Sequence, residues 1–157
     1  MNLEKLKDIS GELCMYGLDT DSADYIALEG GILVERNHYG KGELSCAAVA
    51  VWSFDRLYEL MPKNLPEEFG VCPVVYLEFI DGEANEIGYV NPYGNVFHSE
   101  SGETATEAIF NLMKWLLQQP KYKDVVLRIV AKFIDEHPIP NVSVPTIYVT
   151  HGDEEIK

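Results

Sequence analysis

Four histidines, three cysteines and 26 acidic residues are the groups in these 157 residues whose types could carry chemistry. A catalytic or metal-binding set needs such groups at fixed spacing, and the spacing argues against most of them. His38, His98, His137 and His151 form neither H-x-x-x-H nor H-E-x-x-H, the helical spacings that aim two imidazoles at one zinc ion. Cys14, Cys46 and Cys72 are odd in number and far apart, with no C-x-x-C pair, so they read as reduced, mostly buried thiols. G-x-S-x-G, phosphate-loop and dinucleotide-loop patterns are absent, including in the Gly-rich segment NHYGKGE. His98 and Glu100, two apart on a β-prone run, are the best candidates for a polar pair. Asp81, Glu83 and Asn85 suggest a calcium loop, but position six is Glu86 where glycine is required and position twelve is Pro92 where a bidentate Glu is required. The sequence implies no cofactor, no metal and no catalytic residue.

Charge is more informative. Twelve Lys and Arg against 26 Asp and Glu give a net charge of −14, which repels phosphate backbones and argues against direct nucleic-acid binding. Between Lys63 and Lys114 there is no Lys or Arg, while Glu67, Glu68, Glu78, Asp81, Glu83, Glu86, Glu100, Glu103 and Glu107 all fall there. That stretch is either a solvated face that keeps the chain soluble or a surface for a basic protein. The aromatic residues Tyr76, Tyr89, Tyr93 and Phe97 lie within it, and Trp52 and Trp115 near helix ends. The residues expected to meet a partner are Asp81, Glu83, Glu86, Tyr93 and Glu100.

The elements that position these groups follow from periodicity. Leu3, Leu6, Ile9 and Leu13 mark an amphipathic helix over 3–15 that ends near Gly17. YIALE and ILVER flank Gly30-Gly31, a two-residue hairpin signal with strands at 24–29 and 32–37. LSCAAVAVW is a buried strand or an extended link. Ser53 caps a helix carrying Phe54, Leu57, Tyr58 and Met61, which Pro62 closes. VVYLEFI and EIGYVN form a second hairpin, in which Val75, Leu77 and Phe79 alternate with Tyr76 and Glu78. NVFHSE is a third strand finishing before SGET. Thr104 and Glu107 make a capping box for a helix that Pro120 breaks. A last helix spans about 122–136, and Pro138 and Pro140 stop it. TIYVT could add an edge strand.

Two resemblances can be read. SFDRLYELMP, a hairpin and ETATEAIFNLMKWLLQQ, over roughly residues 50–119, resemble small proteins of unknown function from gut bacterial genomes and their phages. That likeness implies a mobile-element context and no activity. VVYLEFI, EIGYVN, NVFHSE and the helix opening Thr104-x-x-Glu107-Ala108 are similar to the strand-strand-strand-helix core of HicB-like antitoxins, although no DNA-binding appendage is evident. That second resemblance implies neutralisation of a toxin.

The expected fold is therefore α+β: an antiparallel sheet of hairpins packed on one side by amphipathic helices, as one domain over 1–150 with an acidic tail at 151–157. No apolar run is long enough to span a membrane and the N-terminus is amphipathic, which implies a cytoplasmic protein. The expected function is a non-enzymatic acidic module that binds a basic protein. The alternative is a small-molecule-binding protein or hydrolase whose site is assembled from sequence-distant residues. Homodimerisation through a sheet edge is a third possibility.

Overall fold

A computed structural model describes residues 2–39, 48–67, 72–80 and 84–140. Helix α1 (Leu3–Met15) starts where the Asn2 side chain accepts from Lys5 N at 2.8 Å. It stops at Gly17, whose φ of 103° suits glycine. A 3-10 turn (Thr20–Ser22) leads into β1 (Tyr25–Leu28) and β2 (Ile32–Glu35). The last paired residues are Leu28 and Ile32. The turn is therefore Glu29, Gly30 and Gly31, one residue longer than the expected Gly-Gly loop, with both glycines at positive φ. The second strand also stops earlier than 37. Arg36 N donates to Asp24 O at 2.9 Å, and the chain turns into the short helix α2 (Arg36–Tyr39).

β3 (Val49–Val51) pairs with the other edge of β1, so the first sheet has the order β2-β1-β3. Ile26 and Ala27 on the middle strand are fully buried. Ser53 then caps α3 (Phe54–Leu60), its hydroxyl accepting from Arg56 N at 3.2 Å. The far end of α3 is finished by Lys63, whose ammonium donates to the Tyr58 and Met61 carbonyls and lies 4.3 Å from the Tyr58 ring. Burial holds this lysine's pKa below its ordinary value.

β4 (Val74–Ile80), β5 (Ala84–Val90) and β6 (Val96–Gly102) form a second antiparallel sheet, so the hairpins do not join into one. β6 runs two residues past the expected end, pairing Ser101 with Glu86 and Gly102 with Asn85. A Cβ on Gly102 would come within 2.7 Å of the Glu107 Cβ, so glycine lets this strand pass under the next helix. That helix, α4 (Ala105–Gln118), is capped by Thr104 Oγ1, which accepts from Glu107 N at 3.1 Å. The Glu107 carboxylate takes Lys5 Nζ at 2.6 Å. Pro120 does not merely break α4. It is the first residue of α5 (Pro120–Glu136), a position where the missing N–H costs nothing.

α4 packs against β5 and β6 and also against α1, α3 and α5. Its Ile109, Leu112, Met113 and Leu116 share one core with Ile26, Trp52, Leu57, Ile87, Tyr89 and Val126. The architecture is α+β: among the described residues, two three-stranded antiparallel sheets and five α-helices surround this core. Trp52 Nε1 donates to Ser22 Oγ at 3.0 Å and Tyr89 OH to Pro62 O at 2.7 Å, so the two largest core side chains satisfy their polar atoms. Among the described residues no helix is long and apolar enough to cross a membrane. TIYVT and the 151–157 tail lie outside the described residues.

Candidate ligand-binding cleft

Charged residues from segments distant in sequence converge on one cleft. The 3-10 turn and β1 supply Asp21, Asp24 and Tyr25. The end of β2 and α2 supply Glu35, Arg36 and Asn37. α3 supplies Arg56, and the end of α5 supplies Phe133, His137, Pro138 and Ile139. Together they line a cleft of about 480 Å³, within the size range of small-molecule sites.

Local sequence explains the placement of Arg36, and tertiary contacts hold the others. Period-two alternation carries Arg36 on from Ile32 and Val34, toward the interior, where its residue is 2% exposed. Its Nη2 donates to Asp21 Oδ1 at 2.9 Å, an ion pair that compensates the cost of burying a guanidinium. Asp24 is committed elsewhere: Oδ1 accepts from Ser53 N at 2.9 Å and Oδ2 from the Ser53 hydroxyl. Arg56 donates from Nη1 to Ser22 O at 2.9 Å, and its guanidinium carbon lies 4.6 Å from the Phe133 ring centroid. The Phe133 ring also stacks on His137, with centroids 4.3 Å apart. His137 Nδ1 is 3.0 Å from the Phe133 carbonyl. A carbonyl only accepts, so that nitrogen carries the proton and neutral His137 keeps Nε2 as an acceptor.

The cleft therefore offers donors and acceptors side by side against one aromatic wall. The serines next to it are engaged: the Ser53 hydroxyl caps α3 and donates to Asp24, and the Ser22 hydroxyl donates to Asp19 O at 2.6 Å. Among the described residues no group of three or more His, Cys, Asp or Glu is placed to hold a metal ion.

Of the residues expected to bind a partner, the three that are described, Glu86, Glu100 and Tyr93, lie apart from one another. Asp81 and Glu83 lie outside the described residues. Glu86 sits beside Glu78 on the sheet face turned away from α4, where its carboxylate accepts from Tyr76 OH. Burial and this carboxylate push the Tyr76 phenol up to about 12. Glu100 faces the opposite way, paired with the buried Ile87, and its Oε2 is 2.7 Å from His98 Nε2. Tyr93 is 81% exposed in the turn that follows β5, whose last residue, Val90, is about 13 Å from Glu86 at roughly 3.3 Å per residue. Alternation splits Glu86 from Glu100, and strand length separates Tyr93 from both.

His98 and Glu100 are brought together as their spacing suggests, but away from the cleft: His98 stacks on Trp115 of α4 with centroids 3.7 Å apart. Of the cysteines, Cys14 is half-buried, burial pushing its thiol up. Cys72 is exposed, against the expectation of mostly buried thiols, because it sits just before the edge strand β4. Cys46 lies outside the described residues. No protein-family model, curated protein or solved structure matches the chain.

Proposed function

We propose that the protein binds a small polar molecule in the cleft between β1, α2, α3 and the end of α5, without transforming it. One observation carries this reading. Side chains spread from residue 21 to residue 139 meet around a single opening of ligand size, with Arg36 buried at its wall. Burying a guanidinium–carboxylate pair adds little stability over an apolar pair of the same volume, so its presence at a cleft favours a recognition role. A ligand with a carboxylate or phosphate would meet Arg56, and its own donors would meet Asp21 or His137 Nε2. The test is an amide-resolved NMR titration of the full chain against small molecules bearing those groups. Shifts confined to Arg36, Arg56, Phe133 and His137, and lost in Arg56→Met, are expected; a panel that moves none of these amides sinks the reading.

A second reading keeps the protein as a module that engages a basic protein, which is also what a HicB-like resemblance implies. It is favoured by the absence of Lys and Arg over 64–113, the segment that builds the whole second sheet. Charge of one sign over a sheet speeds encounter with an oppositely charged partner. Association that does not weaken between low and moderate salt would argue against it.

A further inference from the structure

β4 is the outer strand of the second sheet, and described chain covers its free side only at its start. Leu65 N donates to Pro73 O at 2.8 Å and Val75 N to Lys63 O at 2.9 Å, around the Asn64–Val74 bridge. Main-chain groups of an antiparallel strand alternate sides with each residue. The N–H and C=O of Leu77 therefore point to that same free side, one step past the last bond to Lys63. Among the described residues no strand pairs there.

The two faces of this edge differ in chemistry. Leu77 lies on the face of the buried Ile87 yet is 37% exposed, because α4 covers β5 and β6 rather than β4. Glu78 is exposed on the other face, directly opposite Glu86. Sheet edges are commonly protected from pairing by a Lys or Pro. Residues Val74 to Ile80 contain neither.

We propose that the β4 edge accepts an extended segment of a partner protein in which apolar and basic residues alternate. Its apolar side chains continue the row beside Leu77, and its Lys or Arg side chains lie beside Glu78, with Glu86 one strand further in. Main-chain bonds to Leu77 set the register, and the alternating side chains set the specificity. The proposal rests on the second reading above and names the surface and the partner's form. A second copy of this chain fits the edge less well. It brings another net charge of −14 to a surface that already carries Glu78 and Glu86.

The experiment uses the full chain and a fluorescent, end-blocked octapeptide of alternating lysine and valine, read by anisotropy and by amide shifts. Controls are the same peptide N-methylated on alternate backbone amides, its glutamate–valine counterpart, and light scattering of the protein alone. Binding is expected with shifts at Leu77 and its neighbours, weakened at least tenfold by N-methylation or by Glu78→Lys, and absent for the glutamate peptide. Equal binding of the N-methylated peptide would overturn the edge while leaving a basic-partner reading standing. Failure of the lysine peptide to bind at all overturns both. A protein dimer abolished by Glu78→Lys overturns the proposal in favour of a second copy.

Discussion

The His98 imidazole lies flat on the Trp115 indole, ring centroids 3.7 Å apart and planes inclined by 7°, while its Nε2 contacts the Glu100 carboxylate at 2.7 Å. This contact ties β6 to α4 at a half-buried position. Removing the ring in His98→Ala forfeits the stacking and the hydrogen bond together, and is expected to cost about 1–3 kcal/mol. Glu100→Gln keeps the stacking and an acceptor, so it should cost less. Urea unfolding of the two variants ranks them; equal losses would show that stacking contributes nothing.

Gly88 sits mid-sheet between Tyr76 and Ser99. A Cβ there would fall 2.3 Å from the His98 carbonyl oxygen and 2.7 Å from Ser99 Cα, both backbone positions that cannot rotate away. The missing side chain also leaves room for Tyr76 to reach Glu86 and Ser99 across the middle strand. Gly88→Ala is therefore expected to destabilise by roughly 1–3 kcal/mol or more, the usual cost of overpacking. Thermal unfolding checks this, and a loss below about 0.5 kcal/mol would mean the strands separate without strain.

What could be read from the residues alone was whatever depends on local periodicity. The Ser53 and Thr104 caps, the last helix and the two hairpins are all encoded within a few residues, and so is the Asn2 cap, which was not among the expected features. What could not be read depends on distant partners. Glu86 and Glu100 look equivalent in the sequence, but they lie on adjacent strands with opposite parity, so one faces away from α4 and the other toward it. The cleft left one local signal: Arg36 continues the alternation of Ile32 and Val34 into a buried position. Nothing local says that Asp21, fifteen residues earlier, will neutralise it.

Alkaline pH should weaken the fold through two tyrosines. Burial, then the Glu86 carboxylate, raise the Tyr76 phenol to about 12 from an ordinary 10.0, and burial raises Tyr89 further. A pKa raised in the folded state means the native protein holds its proton more tightly than the unfolded chain. The associated stability is complete below about pH 10 and is lost as pH rises toward 12 and beyond. Tyr76→Phe removes one of these groups, so its stability should fall less steeply between pH 10 and 12. Denaturant titrations across that range test it; parallel curves for the variant and the parent would rule Tyr76 out as a contributor.

The Arg36–Asp21 pair separates stability from recognition. Their side chains are 3% and 26% exposed, so Asp21→Ala takes a carboxylate from a buried guanidinium and should cost about 3 kcal/mol. Replacing both members in Asp21→Leu with Arg36→Met removes the buried charges together, and stability should return to within about 1 kcal/mol of the parent. A cleft that binds a polar ligand would nevertheless lose its affinity in this double variant. Recovery of stability without recovery of ligand-induced amide shifts assigns the pair to recognition; a double variant that is as unstable as Asp21→Ala would show that the pair is held for the fold instead.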